Sequence, residues 1–253
     1  MTDTIKIIKK ETVHRLLKDI KYIIKHPLTD NGIYYTHDDV DMLKGYALII
    51  GPKDTPYYGG FYFFKFHFPT DYPFSPPMVK YMTNDGVTRY NPNLYKCGKV
   101  CVSILNTWSG DKWSSCQTLN SVLLTLCSLL NNAPLENEPG QTKESMDFKP
   151  YQKSIEYSNI NFAICDMINK NNNKIPLEFK IFYPFMRDNF LNNYENILKI
   201  IDSKNEEISS QRVSIYSMTT NINYKELKKK IIKIKNMFDI DIGKEDNLIV
   251  DKI

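Results

Sequence analysis

Nowhere does this 253-residue chain carry the run of about eighteen or more apolar residues that a membrane span requires, so no membrane association is expected. The start, Met-Thr-Asp-Thr-Ile-Lys, lacks a basic region followed by an apolar core. A secretory signal is therefore not expected, and the protein is expected to be intracellular, in the cytoplasm or the nucleus. Cysteine is sparse and odd in number, five residues, which argues against a disulfide framework and for reduced thiols. Histidine is scarcer still: the four residues are His14, His26, His37 and His67, and none lies near a cysteine in sequence, so a Cys-His protease pair is not expected. Charge of one sign is lacking too. The 33 basic and 29 acidic residues leave a net +4, short of the concentrated positive surface that would make nucleic acid the default partner. Cys97, Cys101, Cys116 and Cys127 are spaced unlike a zinc ribbon, so no metal and no cofactor is expected.

What is present is the composition of an ordinary globular protein, 42% hydrophobic and 25% charged, with ample length for a buried core. The apolar positions Val13, Leu16, Leu17, Ile20, Ile23 and Ile24 recur at helical spacing and predict an amphipathic helix over residues 11–25, closed by Pro27. Its other face carries Lys10, His14, Lys18, Lys21 and Lys25. Residues 33–36, 44–50, 60–68 and 77–82 are short, aromatic or β-branched, and bounded by turn residues; they predict a four-stranded antiparallel meander. In the third strand Tyr62, Phe64, Phe66 and Phe68 share one side. Lys65 and His67 on the other side predict a face that is only partly covered.

After an irregular stretch to Asn106, helical spacing returns at Leu119, Val122, Leu123, Leu126, Leu129 and Leu130, which predicts a buried central helix over 119–130. Further helices are predicted over 154–169, over 182–202 with Pro184 in the first turn, and over 224–238. The run Asn171 to Asn173 predicts a polar break, and residues 203–223 a polar linker. The organisation expected is an amino-terminal tail (1–10), a core (11–170) and a helical carboxy-terminal extension (171–253).

The chemistry concentrates in residues 91–105, Asn-Pro-Asn-Leu-Tyr-Lys-Cys-Gly-Lys-Val-Cys-Val-Ser-Ile-Leu. Cys101 follows Asn93 by eight positions in a turn-rich stretch, a pairing suited to acyl transfer through a thioester. The thiol supplies a nucleophile, and the Asn93 carboxamide supplies either a donor to the oxyanion or a hydrogen bond that folds the loop.

This stretch resembles the active-site signature of ubiquitin-conjugating enzymes, in which His-Pro-Asn precedes the catalytic cysteine by the same spacing. Tyr46-Ala-Leu-Ile-Ile-Gly-Pro52, Thr55-Pro-Tyr-Tyr-Gly-Gly-Phe61, Phe68-Pro-Thr-Asp-Tyr-Pro-Phe-Ser-Pro-Pro-Met-Val79, Trp113 and the apolar run from Ser121 to Leu130 continue the resemblance in order. It covers about residues 13–169. Asn91 in place of histidine, four extra residues between Leu105 and Trp113, and Asn137-Glu138-Pro139-Gly140 are similar to the large Z-type branch.

The resemblance implies an α+β, UBC-like fold and an enzyme, an acyltransferase, that takes ubiquitin or a ubiquitin-like modifier from an activating enzyme onto Cys101. It would pass the modifier to lysine on protein substrates, directly or through ubiquitin ligases, and act as a monomer. The rival it leaves open is a non-catalytic ubiquitin-binding adaptor of the same fold. Lys10, His14, Lys18 and Lys21 correspond to the activating-enzyme surface, with a solvated helix face as the alternative. Phe74, Ser114 and Ser115 correspond to the ligase-binding surface. Many family members place an aspartate two residues after the cysteine, to help orient the acceptor lysine; here that residue is Ser103. Glu136 and Glu138, on a later loop, are the carboxylates expected to replace it in part.

Overall fold

The structure is a computed structural model that describes residues 8–169 and 174–250, with side chains through 239. The helix α1 (Lys10–Lys25) leads into four strands: β1 (Ile33–His37), β2 (Lys44–Ile50), β3 (Phe61–His67) and β4 (Met78–Tyr81). They pair antiparallel in the order β1-β2-β3-β4, with Ala47 opposite both Tyr35 and Phe64. The helix α2 (Leu119–Ser128) is capped by Thr118, which accepts from the Ser121 amide while the Ser121 side chain accepts from the Thr118 amide. Leu119, Val122, Leu123 and Leu126 are fully buried, as expected of the central helix.

The helix α1 differs in detail from the apolar stripe read from the sequence. Its buried residues are Thr12, Leu16, Asp19 and Ile23, while Leu17 and Ile24 are exposed. Thr12 and Asp19 tolerate burial because each is satisfied: Thr12 donates to the Thr70 carbonyl, and Asp19 is paired with Arg15 and accepts from the Tyr72 hydroxyl. Lys10, His14, Lys18, Lys21 and Lys25 all lie on the exposed side.

Helix α3 (Phe148–Ser158) begins earlier than expected and continues as a π-helical stretch through Asp166. Then come a 3-10 turn over Leu177–Phe182, α4 (Tyr183–Asp202), two further strands and α5 (Tyr224–Val250). The expected break at Asn171 to Asn173 lies outside the described residues, as does most of the expected amino-terminal tail.

One expectation is corrected. Residues 203–223 are not a linker: β5 (Ile208–Val213) and β6 (Met218–Asn223) form an antiparallel hairpin, so the extension is not purely helical. Met218, Thr220 and Ile222 are buried while Thr219 and Asn221 are exposed, the period-two signature of a half-covered strand. The second face of β3 is partly covered, as expected, with Phe61 and Phe63 on it fully buried. Phe179, from the turn before α4, packs on Phe63 (ring centroids 4.9 Å) and Tyr46 (5.5 Å), and Phe185 stacks on Tyr34 (4.6 Å). Only Lys65 and His67 stay half-buried, with Lys65 paired to Glu178 at 2.9 Å. Extension and core therefore share one hydrophobic cluster.

Candidate active site

Asn93 and Cys101 face each other across a short hairpin. The Cys101 amide donates to the Asn93 carbonyl (2.9 Å), and the Tyr95 amide donates to the Lys99 carbonyl (2.9 Å) nearer the tip. Gly98 turns that tip with φ +88°, and a Cβ there would stand 2.8 Å from the Tyr81 carbonyl oxygen, so glycine is required on both counts. The Asn93 side-chain Nδ2 donates to the Cys101 carbonyl at 2.7 Å. Of the two roles open from sequence, this geometry is the loop-folding one.

The sulfur itself is covered. Cys101 is 3% exposed, and its Sγ donates to the Thr107 carbonyl at 2.8 Å. Thr107 lies within the lengthened connection between Leu105 and Trp113. Its hydroxyl accepts from the Val102 amide (2.9 Å) and donates to the Val102 carbonyl (3.0 Å). The loop neck is closed by Asn106, whose side chain accepts from the Trp113 amide (2.9 Å). Gly110 folds back onto Ser103, where an added Cβ would lie 3.2 Å from the Ser103 side chain. Ser103 thus sits beneath the loop tip.

Asn91 is fully buried and saturated. Its Nδ2 donates to the Leu129 carbonyl (2.8 Å) and the Tyr57 hydroxyl (3.1 Å), and its Oδ1 accepts from the Asn93 amide (2.9 Å) and Asn137 Nδ2 (3.4 Å). This side chain ties the Asn93–Cys101 hairpin to the end of α2 and to the loop that carries Glu136 and Glu138. Asn91→Ala is expected to destabilise the fold by ~2–4 kcal/mol in urea unfolding, because it strands buried donors and acceptors on several partners. A change below about 0.5 kcal/mol would mean that those partners find others.

The two loop carboxylates are not equivalent. Glu138 is half-buried and accepts from the Tyr216 hydroxyl at 2.8 Å. Burial, reinforced by the Glu138 hydrogen bond and charge, raises the Tyr216 pKa, so the phenol stays a donor. Glu136 is exposed, and its carboxylate carries no hydrogen bond or ion pair among the described residues.

Phe74 is 67% exposed, and Ser114 and Ser115 are exposed beside it in the fold. Trp113 is what joins their loops: it is buried, and its Nε1 donates to the Pro73 carbonyl at 2.7 Å. Arg15 of α1 fixes the same surface from the other side, donating to the carbonyls of Ser115 (2.7 Å) and Gln117. Sequence reasoning missed Arg15, Thr107, Arg89 and Tyr216; only the unusual length of the 106–112 loop hinted at Thr107. Among the remaining cysteines, Cys97 and Cys116 are exposed, Cys127 is half-buried, and burial pushes the Cys165 thiol up to about 12.

Residues 15–159 match the family model described as ubiquitin-conjugating enzyme, more than half of the chain. The chain belongs to the ubiquitin-conjugating enzyme family. Within that family it is 47% identical over 161 residues to ubiquitin-conjugating enzyme E2 Z of Xenopus tropicalis, covering 62% of this chain and 51% of that protein. It is 48% identical over 157 residues to ubiquitin-conjugating enzyme E2 Z of Homo sapiens, covering 61% and 44%. With probable ubiquitin-conjugating enzyme protein 17 of Caenorhabditis elegans the identity is 38% over 176 residues, covering 64% and 24%. The chain spans about half or less of the length of these curated relatives. The conjugating-enzyme region ends close to the start of the π-helical stretch, so the hairpin and α4 lie outside it.

Proposed function

We propose that this ubiquitin-conjugating enzyme accepts ubiquitin or a ubiquitin-like modifier as a thioester on Cys101 and transfers it to a substrate lysine, with or without a ligase. The observation that carries this is the locked pairing of Asn93 and Cys101 across one hairpin in a chain of this family. Exchange of one thioester for another is close to energetically neutral, so the thiol needs no histidine base. When lysine attacks the loaded thioester, the Asn93 amide, released from the Cys101 carbonyl, would donate to the oxyanion, a contact worth ~10² to 10³ in rate. Glu136, exposed on the loop tied to Asn91, is the better placed of the two carboxylates to orient the lysine, because Glu138 is already held by Tyr216.

The exposed stripe of Lys10, His14, Lys18 and Lys21 is read as the activating-enzyme surface, and Phe74 with Ser114 and Ser115 as the ligase surface. An exposed aromatic beside small residues suits the centre of an interface. An intracellular location follows from this chemistry.

The burial of Cys101 favours a second reading, an adaptor that binds ubiquitin and never loads it. Incubation with activating enzyme, ATP and ubiquitin separates the two. The expected product is an adduct sensitive to reductant in the wild type and resistant to reductant in Cys101→Ser, where an oxygen ester replaces the thioester. If neither ubiquitin nor any ubiquitin-like modifier loads, with its own activating enzyme, the adaptor stands.

A further inference from the structure

Beside the reactive hairpin an open groove separates core from extension, lined by Arg89, Tyr95, Lys96 and Cys97 and by the β5–β6 turn at Ile215 and Tyr216. Among the described residues two cations line it and no carboxylate does. Arg89 is half-buried, its guanidinium lying 3.4 Å from the Tyr95 ring centroid and 5.2 Å from that of Tyr216. Its Nε and Nη2 donate to the carbonyls of Asn91 (3.2 Å) and Pro92 (2.5 Å). The remaining N–H groups, and the charge itself, meet no carboxylate among the described residues. A partly desolvated guanidinium held flat by aromatic rings is pre-organised for a carboxylate, whose two oxygens match its paired donors.

The wall opposite is rigidly placed. Asp147 accepts from the amides of Ser214 (2.9 Å) and Ile215 (2.8 Å), and the Arg89 amide donates to Met218 Sδ (3.3 Å). Asp147 and Glu138, the carboxylates that touch this turn, are engaged by those amides and by the Tyr216 hydroxyl, and neither lines the groove. The groove connects to the site through the hairpin itself. The Tyr95–Lys99 pair lies one two-residue step from the Asn93–Cys101 pair, about 7 Å along the strands.

We propose that this groove recognises an acidic side chain, Asp or Glu, flanking the acceptor lysine of a protein substrate at about two residues' distance. The proposal rests on the thioester-transfer reading of Cys101 and adds a substrate preference to it.

Two fluorescein-labelled pentapeptides, Glu-Glu-Lys-Glu-Glu and Gln-Gln-Lys-Gln-Gln, test it on the full chain in two ways. Fluorescence anisotropy with unloaded protein is expected to show the acidic peptide binding at least about fivefold tighter at low salt, with the margin shrinking as salt rises. With loaded protein the acidic peptide is expected to discharge the modifier faster by a similar factor. In Lys96→Glu both margins should vanish while discharge onto free lysine is unchanged. Lys199→Glu, the same charge change at an exposed site on α4, should preserve them. Arg89→Gln should also abolish both, read alongside its circular dichroism, since Arg89 braces the Asn91 and Pro92 carbonyls. Equal binding of the two peptides by the wild type, or a margin that survives Lys96→Glu, overturns the groove. Failure of loading, or of free-lysine discharge, overturns the transfer reading instead, and the anisotropy result still decides the groove.

Discussion

Deleting Ser109, Gly110 and Asp111 is expected to speed alkylation of Cys101 in the native protein by ~10- to 50-fold, because that loop is what hides the sulfur. In the intact chain the Cys101 thiol is covered by the Thr107 carbonyl, and Thr107 is pinned by two hydrogen bonds from one hydroxyl to Val102. Bonds of this kind are worth ~1 kcal/mol each, so losing the pair shifts the opening equilibrium by roughly one to two powers of ten. Thr107→Val, close in shape but without the hydroxyl, should reproduce much of the effect with no change in loop length. Peptide-resolved mass spectrometry after pulses of iodoacetamide measures the rate. Exposed Cys97 and Cys116 serve as fast references and buried Cys165 as the slow one. Cys101 reacting as fast as Cys97 in the wild type would show that the loop does not guard it. The proposed thioester places a second demand on the loop: it must open for an activating enzyme to reach Cys101, so the same variants should load faster.

Phe179→Ala is expected to cost ~3–5 kcal/mol, the usual range for truncating a buried phenylalanine, and ending the chain before residue 174 should leave it insoluble. Phe179 is completely buried against Phe63 and Tyr46, and Phe185 covers Tyr34 farther along the same face. Without them the sheet would present a contiguous aromatic surface to water, an aggregation liability for any soluble domain. Urea unfolding of the point variant gives the energy, and size-exclusion chromatography of the truncated chain gives the state. A truncated chain that stays monomeric and unfolds at the wild-type midpoint would mean the extension is laid on a core already complete, as the 11–170 boundary read from sequence supposed.

The strands and first helices were legible to within one or two residues, because aromatic and β-branched residues in that region alternate cleanly between turn residues. The hairpin of β5 and β6 was not. Ser209, Ser210 and Gln211 carry no apolar signal, and the alternation of Met218, Thr220 and Ile222 depends on a threonine counting as an inward residue. Its burial is decided by packing against α3, which no local window contains. The site divides in the same way. Asn93 and Cys101 were legible because eight residues joined by turns bring their backbones together. The contacts that set their surroundings reach farther: Asn91 to Leu129, Tyr216 to Glu138 and Arg89 to Tyr216 span tens to more than a hundred positions.

Local chemistry, then, was written into the order of the residues: which cysteine, which asparagine beside it, which helix presents its lysines, and the family to which these belong. Folding in three dimensions decided what surrounds that pair. It buried the sulfur under Thr107, occupied Glu138 with a distant tyrosine, set Arg89, which meets no carboxylate among the described residues, beside the Asn93–Cys101 hairpin and joined the extension to the sheet. Periodicity and spacing encode what a residue does within a few turns of its own chain. Burial and charge pairing depend on what arrives from elsewhere, and the free energy that selects those long-range contacts is shared over the whole core.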